Sequence, residues 1–365
     1  MNVVFRADAS VQIGTGHVMR SLTLAEALRR KGHQCRFICH DFPGHLGRQI
    51  REKGFRVDTL PTPTGDVEGR VSDDDNSYAE WLGISWREDA FHTLRFIGDF
   101  EPDWIVVDHY ALDARWEERV SSVAGKVMVI DDLADRPHFA DILLDQNLGR
   151  SEVDYDEFVS AICKRLVGPE YALLRPEFHR LRARSLDRRD EPELLRILVS
   201  MGGTDTPNAT AAVIASLESS SLPSQLRLDV VMGATAPWMN DIQNVAKTSR
   251  FNVTVSTNVQ DMGERMCLAD LSIGAAGSTS WERCALGLPS IVVSQAQNQS
   301  GILEALSGAG AAIKLDFPID EAKLASLVVN FYKKTEKLAS MARNASGLCD
   351  GRGVEKVIGL LNVAQ

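Results

Sequence analysis

Near its start the chain reads Asn2-Val3-Val4-Phe5-Arg6-Ala7-Asp8-Ala9-Ser10-Val11-Gln12-Ile13-Gly14-Thr15-Gly16-His17-Val18-Met19-Arg20. Asn2–Arg6 is a short apolar run and reads as a strand. From His17 to Gly32 the apolar residues Val18, Leu22, Ala25 and Leu28 fall on one face of a helix. A strand, a glycine turn and a helix in that order open a doubly wound α/β domain, in which ligands sit at the carboxyl ends of the strands. The turn is neither a dinucleotide fingerprint, since Met19 occupies the third glycine position, nor a Walker A loop, since no Gly-Lys-Ser/Thr follows.

The pattern continues outward. Cys35–Cys39 and Phe55–Asp58 read as strands around a helix at Gly44–Lys53. A long helix is expected at Tyr78–Phe96, followed by strand Trp104–Asp108, helix Trp116–Ala124 and strand Val127–Asp131. A second series begins at Leu195–Ser200, with further strands at Leu226–Met232, Val253–Ser256, Leu271–Gly274 and Ile291–Ser294. Its helices are expected at Pro207–Glu218, Met239–Thr248, Asp261–Leu268, Thr279–Leu286 and Asn298–Ala309. Between the series lies Arg180–Glu193, rich in charge and poor in apolar residues, which reads as a solvated linker or exposed helix end.

Composition agrees with a folded soluble protein. The chain has 365 residues, 44% hydrophobic and 25% charged, which a prior of ~150 residues per domain divides into two domains. A net charge of -10 disfavours nucleic acid and anionic membranes as partners. No apolar run approaches the ~20 residues that span a bilayer, and the N-terminus lacks a basic region followed by an apolar stretch, so a cytoplasmic protein is expected. The six cysteines form no C-x-x-C pair, and neither a disulfide framework nor a zinc site is expected.

The candidate catalytic residue is His17. It stands at a helix N-terminus, whose positive potential disfavours an imidazolium and suits a general base. Gly14 and Gly16 permit close ligand approach, Arg20 one turn later is placed for an anion, and Asp8 is a candidate for orienting His17. Strand Trp104–Asp108 ends in Asp108-His109-Tyr110, polar groups at the edge where a ligand is expected. In the second series Met201-Gly202-Gly203 follows a strand and precedes a helix, an arrangement that forms anion-binding nests. Gly277-Ser278-Thr279-Ser280-Trp281-Glu282 opens another helix: the amides of Ser278 and Thr279 suit a diphosphate, and the Glu282 carboxylate suits two ribose hydroxyls. The competing reading of Thr279 and Glu282 is a capping box.

These motifs resemble the UDP-sugar hydrolases of pseudaminic acid biosynthesis (the PseG family) and, more distantly, MurG and other two-domain GT-B glycosyltransferases. The resemblance rests on Arg6–Ser10 with Ile13–Arg20, on Asp108-His109-Tyr110, on Ser278–Ser290 and on Ser294–Gln299. It implies a GT-B fold: two Rossmann-like domains with a cleft between them, at 1–185 and 186–350, and a C-terminal helix at 351–365 packing back on the first domain. It implies that His17 activates water, that Tyr110 belongs to the active site, that Glu282 binds the UDP ribose, and that Asn298 and Gln299 touch sugar and phosphates. By analogy the uracil sits near Asn258–Met262. The implied substrate is UDP-2,4-diacetamido-2,4,6-trideoxy-β-L-altropyranose, hydrolysed with inversion. No cofactor and no metal are expected, because Asp73-Asp74-Asp75 lies in a polar loop and not at a strand end. A monomer is expected. A glycosyltransferase and a non-catalytic nucleotide-sugar sensor are the competing readings.

Overall fold

The computed structural model describes residues 1–60, 76–203, 205–233, 236–293 and 300–363. It divides into two compact units, Met1–Leu173 with Gly353–Gln365, and Leu174–Arg352.

The first unit contains β1 (Asn2–Ala7), α1 (Gly16–Arg30), β2 (Gln34–His40), α2 (Gly47–Glu52), β3 (Arg56–Leu60), α3 (Trp86–Ile97), β4 (Trp104–Asp108), α4 (Ala114–Ser121), β5 (Lys126–Ile130), β6 (Ile142–Asp145) and β7 (Lys164–Val167). The strands form one parallel sheet in the order β3-β2-β1-β4-β5-β6-β7. Val3 to Ala7 and all of Trp104–Asp108 are buried, so both faces of these strands are covered, as unbroken apolar runs require. On α1, Val18, Leu22, Ala25 and Leu28 face the core, and Arg29 and Arg30 in its last turn complement the helix dipole. The order reverses direction between β1 and β4, which places the ligand-binding switch point at the carboxyl ends of those two strands.

Three features depart from the sequence expectation. The stretch Tyr78–Phe96 is one short 3-10 turn, Ala79–Trp81, and then α3. The break is imposed by Ser85, whose hydroxyl accepts from the Glu88 amide at 3.2 Å while Glu88 accepts from the Ser85 amide at 3.1 Å, a capping box that starts a new helix. Strands β6 and β7 were not anticipated: each has only four residues, too few to show a period. The charged stretch Arg180–Glu193 is not a linker but, by its other expected reading, a largely exposed helix end.

That stretch belongs to α5 (Pro176–Asp187) and its exit, inside the second unit. Two of its arginines bond to backbone carbonyls, several of them at helix ends. Arg182 donates to Ala285, Cys349 and Ser346 at 2.6–2.9 Å, and Arg189 to Ser185, Met266 and Ala269 at 2.6–3.0 Å. The unit boundary therefore falls at Leu173/Leu174, ahead of the expected 185/186.

The second unit continues with β8 (Arg196–Ser200), α6 (Ala209–Glu218), β9 (Arg227–Met232), α7 (Met239–Thr248), β10 (Asn252–Thr257), α8 (Met262–Leu268), β11 (Leu271–Ala275), α9 (Thr279–Ala285), β12 (Ser290–Val293), α10 (Ser300–Gly308), β13 (Ala312–Leu315), α11 (Glu321–Lys333) and α12 (Glu336–Leu348). Its parallel sheet runs β10-β9-β8-β11-β12-β13, with the switch point between β8 and β11. The short β13 was also not anticipated. The last helix, α13 (Gly353–Val363), returns to the first unit, where Val357, Ile358 and Leu361 join the core that contains Val18, Leu22 and Leu28 of α1.

Candidate active site

In the first unit, the turn between β1 and α1 folds on itself. The Gly14 amide donates to the Ser10 carbonyl at 2.8 Å, and the Ser10 hydroxyl accepts from the amides of Gln12 and Ile13. Gly14 has φ +81°, a conformation that suits glycine, whereas a side chain on Gly16 would meet open space. Thr15 ends the turn without a side-chain cap, so the first amides of α1 keep their positive end for solvent or ligand.

His17 stands in that first helical turn and is 8% exposed. Its Nδ1 lies 2.6 Å from Asp108 Oδ1 at the end of β4. With Nδ1–H donating to Asp108, the imidazole lone pair is on Nε2, the arrangement of an oriented general base. The Tyr110 ring meets the imidazole edge to face at 4.7 Å between centroids. Asp108 is fully buried and bidentate with Arg20: Nε donates to Oδ2 at 2.6 Å and Nη2 to Oδ1 at 2.7 Å. Burial alone would raise the Asp108 carboxyl, but the Arg20 charge and the hydrogen bonds from Arg20 and His17 hold it down at about 2.

The same geometry changes two expectations. Arg20 is committed to carboxylates, since its Nη1 also donates to Asp132 Oδ2 at 2.7 Å, so it offers no free fork to an anion. Asp8 does not reach His17. Its Oδ1 accepts from the His40 amide at 2.7 Å, its two oxygens meet Arg6 at 2.8 and 2.9 Å, and Oδ2 contacts His40 Nδ1 at 3.0 Å and His109 Nε2 at 3.3 Å. Asp8 is fully buried; burial opposes its ionisation, yet the Arg6 charge and bonds from His109 and His40 hold it well below the usual carboxylate range. Asp8 is a structural anchor beneath the strand ends, and the carboxylate on His17 is Asp108.

Tyr110 donates its hydroxyl to Asp132 Oδ2 at 2.9 Å, and Asn147 Nδ2 approaches Asp132 Oδ1 at 3.4 Å. Asp132 and Asn147 come from Ile130–Arg136 and Asp145–Gly149, stretches to which the sequence assigned no chemistry. The available signal was position for Asp132, which follows β5 beside β4 in the sheet order; Asn147 follows β6, one strand further out and not anticipated.

In the second unit, the loop after β8 holds Gly203 against Gly233, where a Cβ on Gly233 would lie 1.7 Å from the Gly203 carbonyl oxygen. The helix that follows is no open anion site. Asp205 caps it, accepting from the amides of Ala209 at 2.8 Å and Thr210 at 3.0 Å. The loop after β11 is different. Ser278 and Thr279 are exposed, Ser278 makes no side-chain cap, and the Thr279–Glu282 capping box does not form.

Arg283 braces that loop from inside, donating to the Ala275 carbonyl and the Ser280 hydroxyl, both at 2.9 Å. Glu282, with its side chain 17% exposed, has Oε1 3.7 Å from Arg175. Burial pushes its carboxyl up to about 7, against the pull of Arg175 and with the help of Glu177. Met262 opens α8, whose N-cap Asp261 pairs with Arg265 at 2.9 Å. Asn298 and Gln299 lie outside the described residues, as does Asp73-Asp74-Asp75. Among the described residues, no cluster of three His, Cys, Asp or Glu is placed to hold a metal ion, and no helix is long and apolar enough to cross a membrane.

Comparison with known proteins bears on the fold. Residues 197–356 match the glycosyltransferase family 28 C-terminal domain. The chain is 25% identical to the UDP-2,4-diacetamido-2,4,6-trideoxy-beta-L-altropyranose hydrolase of Campylobacter jejuni over 248 residues, 68% of this chain and 75% of that protein. It is also 25% identical over 304 residues to an uncharacterized protein of Methanocaldococcus jannaschii, covering 82% of this chain but only 57% of that relative's length. The structure of Acinetobacter baumannii MurG superposes with a TM-score of 0.71 and 16% identity, over 99% of both chains. The chain thus has the GT-B fold, two Rossmann-like units with parallel sheets, and its second unit matches the glycosyltransferase family 28 C-terminal domain.

Proposed function

We propose that the chain is an enzyme that hydrolyses a UDP-sugar to UDP and the free sugar. The observation that carries this reading is the His17–Asp108 contact at 2.6 Å, which leaves Nε2 as the lone-pair nitrogen. A water gives a proton to Nε2 and forms a bond from its oxygen to the anomeric carbon. The bond from that carbon to the diphosphate oxygen breaks, and UDP leaves with the electron pair, inverting the centre through an oxocarbenium-like state. The second unit holds UDP: the free amides of Ser278 and Thr279 face the diphosphate, and Glu282 takes the ribose hydroxyls. Tyr110 fixes the imidazole face. The name of the Campylobacter jejuni relative supports UDP-2,4-diacetamido-2,4,6-trideoxy-β-L-altropyranose as the substrate.

The test is His17→Phe. UDP release from that UDP-sugar is expected to vanish while UDP binding, measured by calorimetry, stays intact. Undiminished release would remove His17 from the chemistry. A second reading, sugar transfer to an acceptor, draws on the match to a glycosyltransferase domain. It requires UDP release to depend on an added acceptor, whereas hydrolysis requires only water.

A further inference from the structure

Around His17 the polar side chains are mostly occupied with one another. Arg20 has Nε and Nη2 on Asp108 and Nη1 on Asp132. The Tyr110 hydroxyl donates its one hydrogen bond to Asp132 Oδ2. Three acceptors keep capacity for a ligand: His17 Nε2, the lone pairs of the Tyr110 oxygen, and Asp132 Oδ1, which among the described residues has only the 3.4 Å approach of Asn147. Asp132 is also the most open of the charged groups, its side chain 14% exposed against 8% for Arg20 and 0% for Asp108. Neighbouring Asp145 registers that charge, since burial and then the nearness of Asp132 push its carboxyl up to about 7.

We propose that Asp132 is a specificity-determining residue: its Oδ1 accepts a hydrogen bond from a hydroxyl or amide N–H on the sugar, and it turns away sugars that carry a carboxylate. An ionised carboxylate offers acceptors alone, so a donor-bearing substituent satisfies it, and a second carboxylate meets like charge in a poorly solvated site. The inference rests on the nucleotide-sugar reading above and narrows it to neutral sugars rich in hydrogen-bond donors.

The experiment is a binding comparison on the full chain with three probes: UDP, UDP-N-acetylglucosamine, and the matching uronic acid, which differs only by a carboxylate at C6. In the wild type the uronic acid is expected to bind about 10-fold more weakly than the neutral sugar, a like-charge effect of ordinary size at a partly exposed site. In Asp132→Asn, an isosteric change at the most exposed of these charged groups, the gap is expected to close to about threefold or less, chiefly because the uronic acid binds better. Thermal melting reports whether the variant is folded, and the wild-type preference is measured without any variant. Equal binding of the two sugars by the wild type, or an unchanged preference in folded Asp132→Asn, overturns the role of Asp132 while UDP binding leaves the wider reading standing. Failure to bind UDP and both UDP-sugars overturns that reading and the inference with it.

Discussion

His17 Nδ1 and Asp108 Oδ1 are 2.6 Å apart, although one residue opens a helix and the other ends a strand 91 positions later. The pairing of β1 with β4, in which Ala7 faces Asp108, makes the contact possible. Arg20, one turn beyond His17, closes on the same carboxylate and fixes its rotamer.

Removing the charge of Asp108 should therefore damage turnover more than binding. Asp108→Asn is expected to lower kcat by about 10²–10⁴-fold with KM within a few-fold, because the imidazole loses the acceptor that sets its tautomer. Asp8→Asn should act on stability instead. Arg6 would keep Asp89 at 2.6 Å but lose its second buried carboxylate, so the expected loss is below the ~3–5 kcal/mol of a wholly unpaired buried charge. Steady-state kinetics and urea titration of the two variants separate the roles; a larger kcat loss in Asp8→Asn would reverse the assignment.

Acid should release the stabilisation that Asp108 supplies. Its carboxyl is depressed in the fold from 3.8 to about 2. A depressed acid contributes stability that is complete above the unfolded value and is lost as pH falls through the folded one. The window is thus about pH 4 down to pH 2, and the contribution about 2–3 kcal/mol. The difference in unfolding free energy between wild type and Asp108→Asn should shrink across that interval, and a difference that stays constant down to pH 2 would count against it.

Glu282 gives the opposite pH signature in ligand binding. Its carboxyl is pushed up to about 7, so in the free protein it takes up a proton as pH drops below neutrality. Ribose hydroxyls donate to the ionised form, so a UDP-sugar should bind more tightly at pH 8 than at pH 6 and release a proton on binding. Because the diphosphate of a UDP-sugar does not itself titrate there, calorimetry in two buffers reads the proton release of the protein's own groups, Glu282 and Asp145 among them. Glu282→Gln should abolish the dependence; a dependence that survives in this variant would place its origin elsewhere.

Gly233→Ala probes the loop that carries Gly203. The new methyl would overlap the Gly203 carbonyl oxygen at 1.7 Å, so one backbone segment must move, at a cost of about 1–3 kcal/mol. A lowered Tm is expected, and an unchanged value would mean that the approach is relieved without consequence.

The parallel sheets and most helices were legible in the sequence because buried parallel strands show as unbroken apolar runs: Trp104–Asp108 is as plain in the sequence as in the fold. The four-residue strands β6, β7 and β13 were not, since their burial is decided by neighbours and not by their own pattern. His17 was legible from the glycine turn before it. Its true partner was not, because Asp8 and Asp108 both end strands at the switch point, and only the buried Arg6, which draws Asp8 inward, separates them. Likewise Arg20 looked free, as a charge does until the carboxylate that it faces is known.

Hydrolysis itself is tested most directly in water enriched in ¹⁸O, with the purified chain, the diacetamido UDP-sugar and no acceptor. Attack at the anomeric carbon should release UDP and place the heavy oxygen in the free sugar, leaving UDP unlabelled. Label in the UDP phosphate, or no UDP until an acceptor is added, would contradict the assignment of His17 as the base for water.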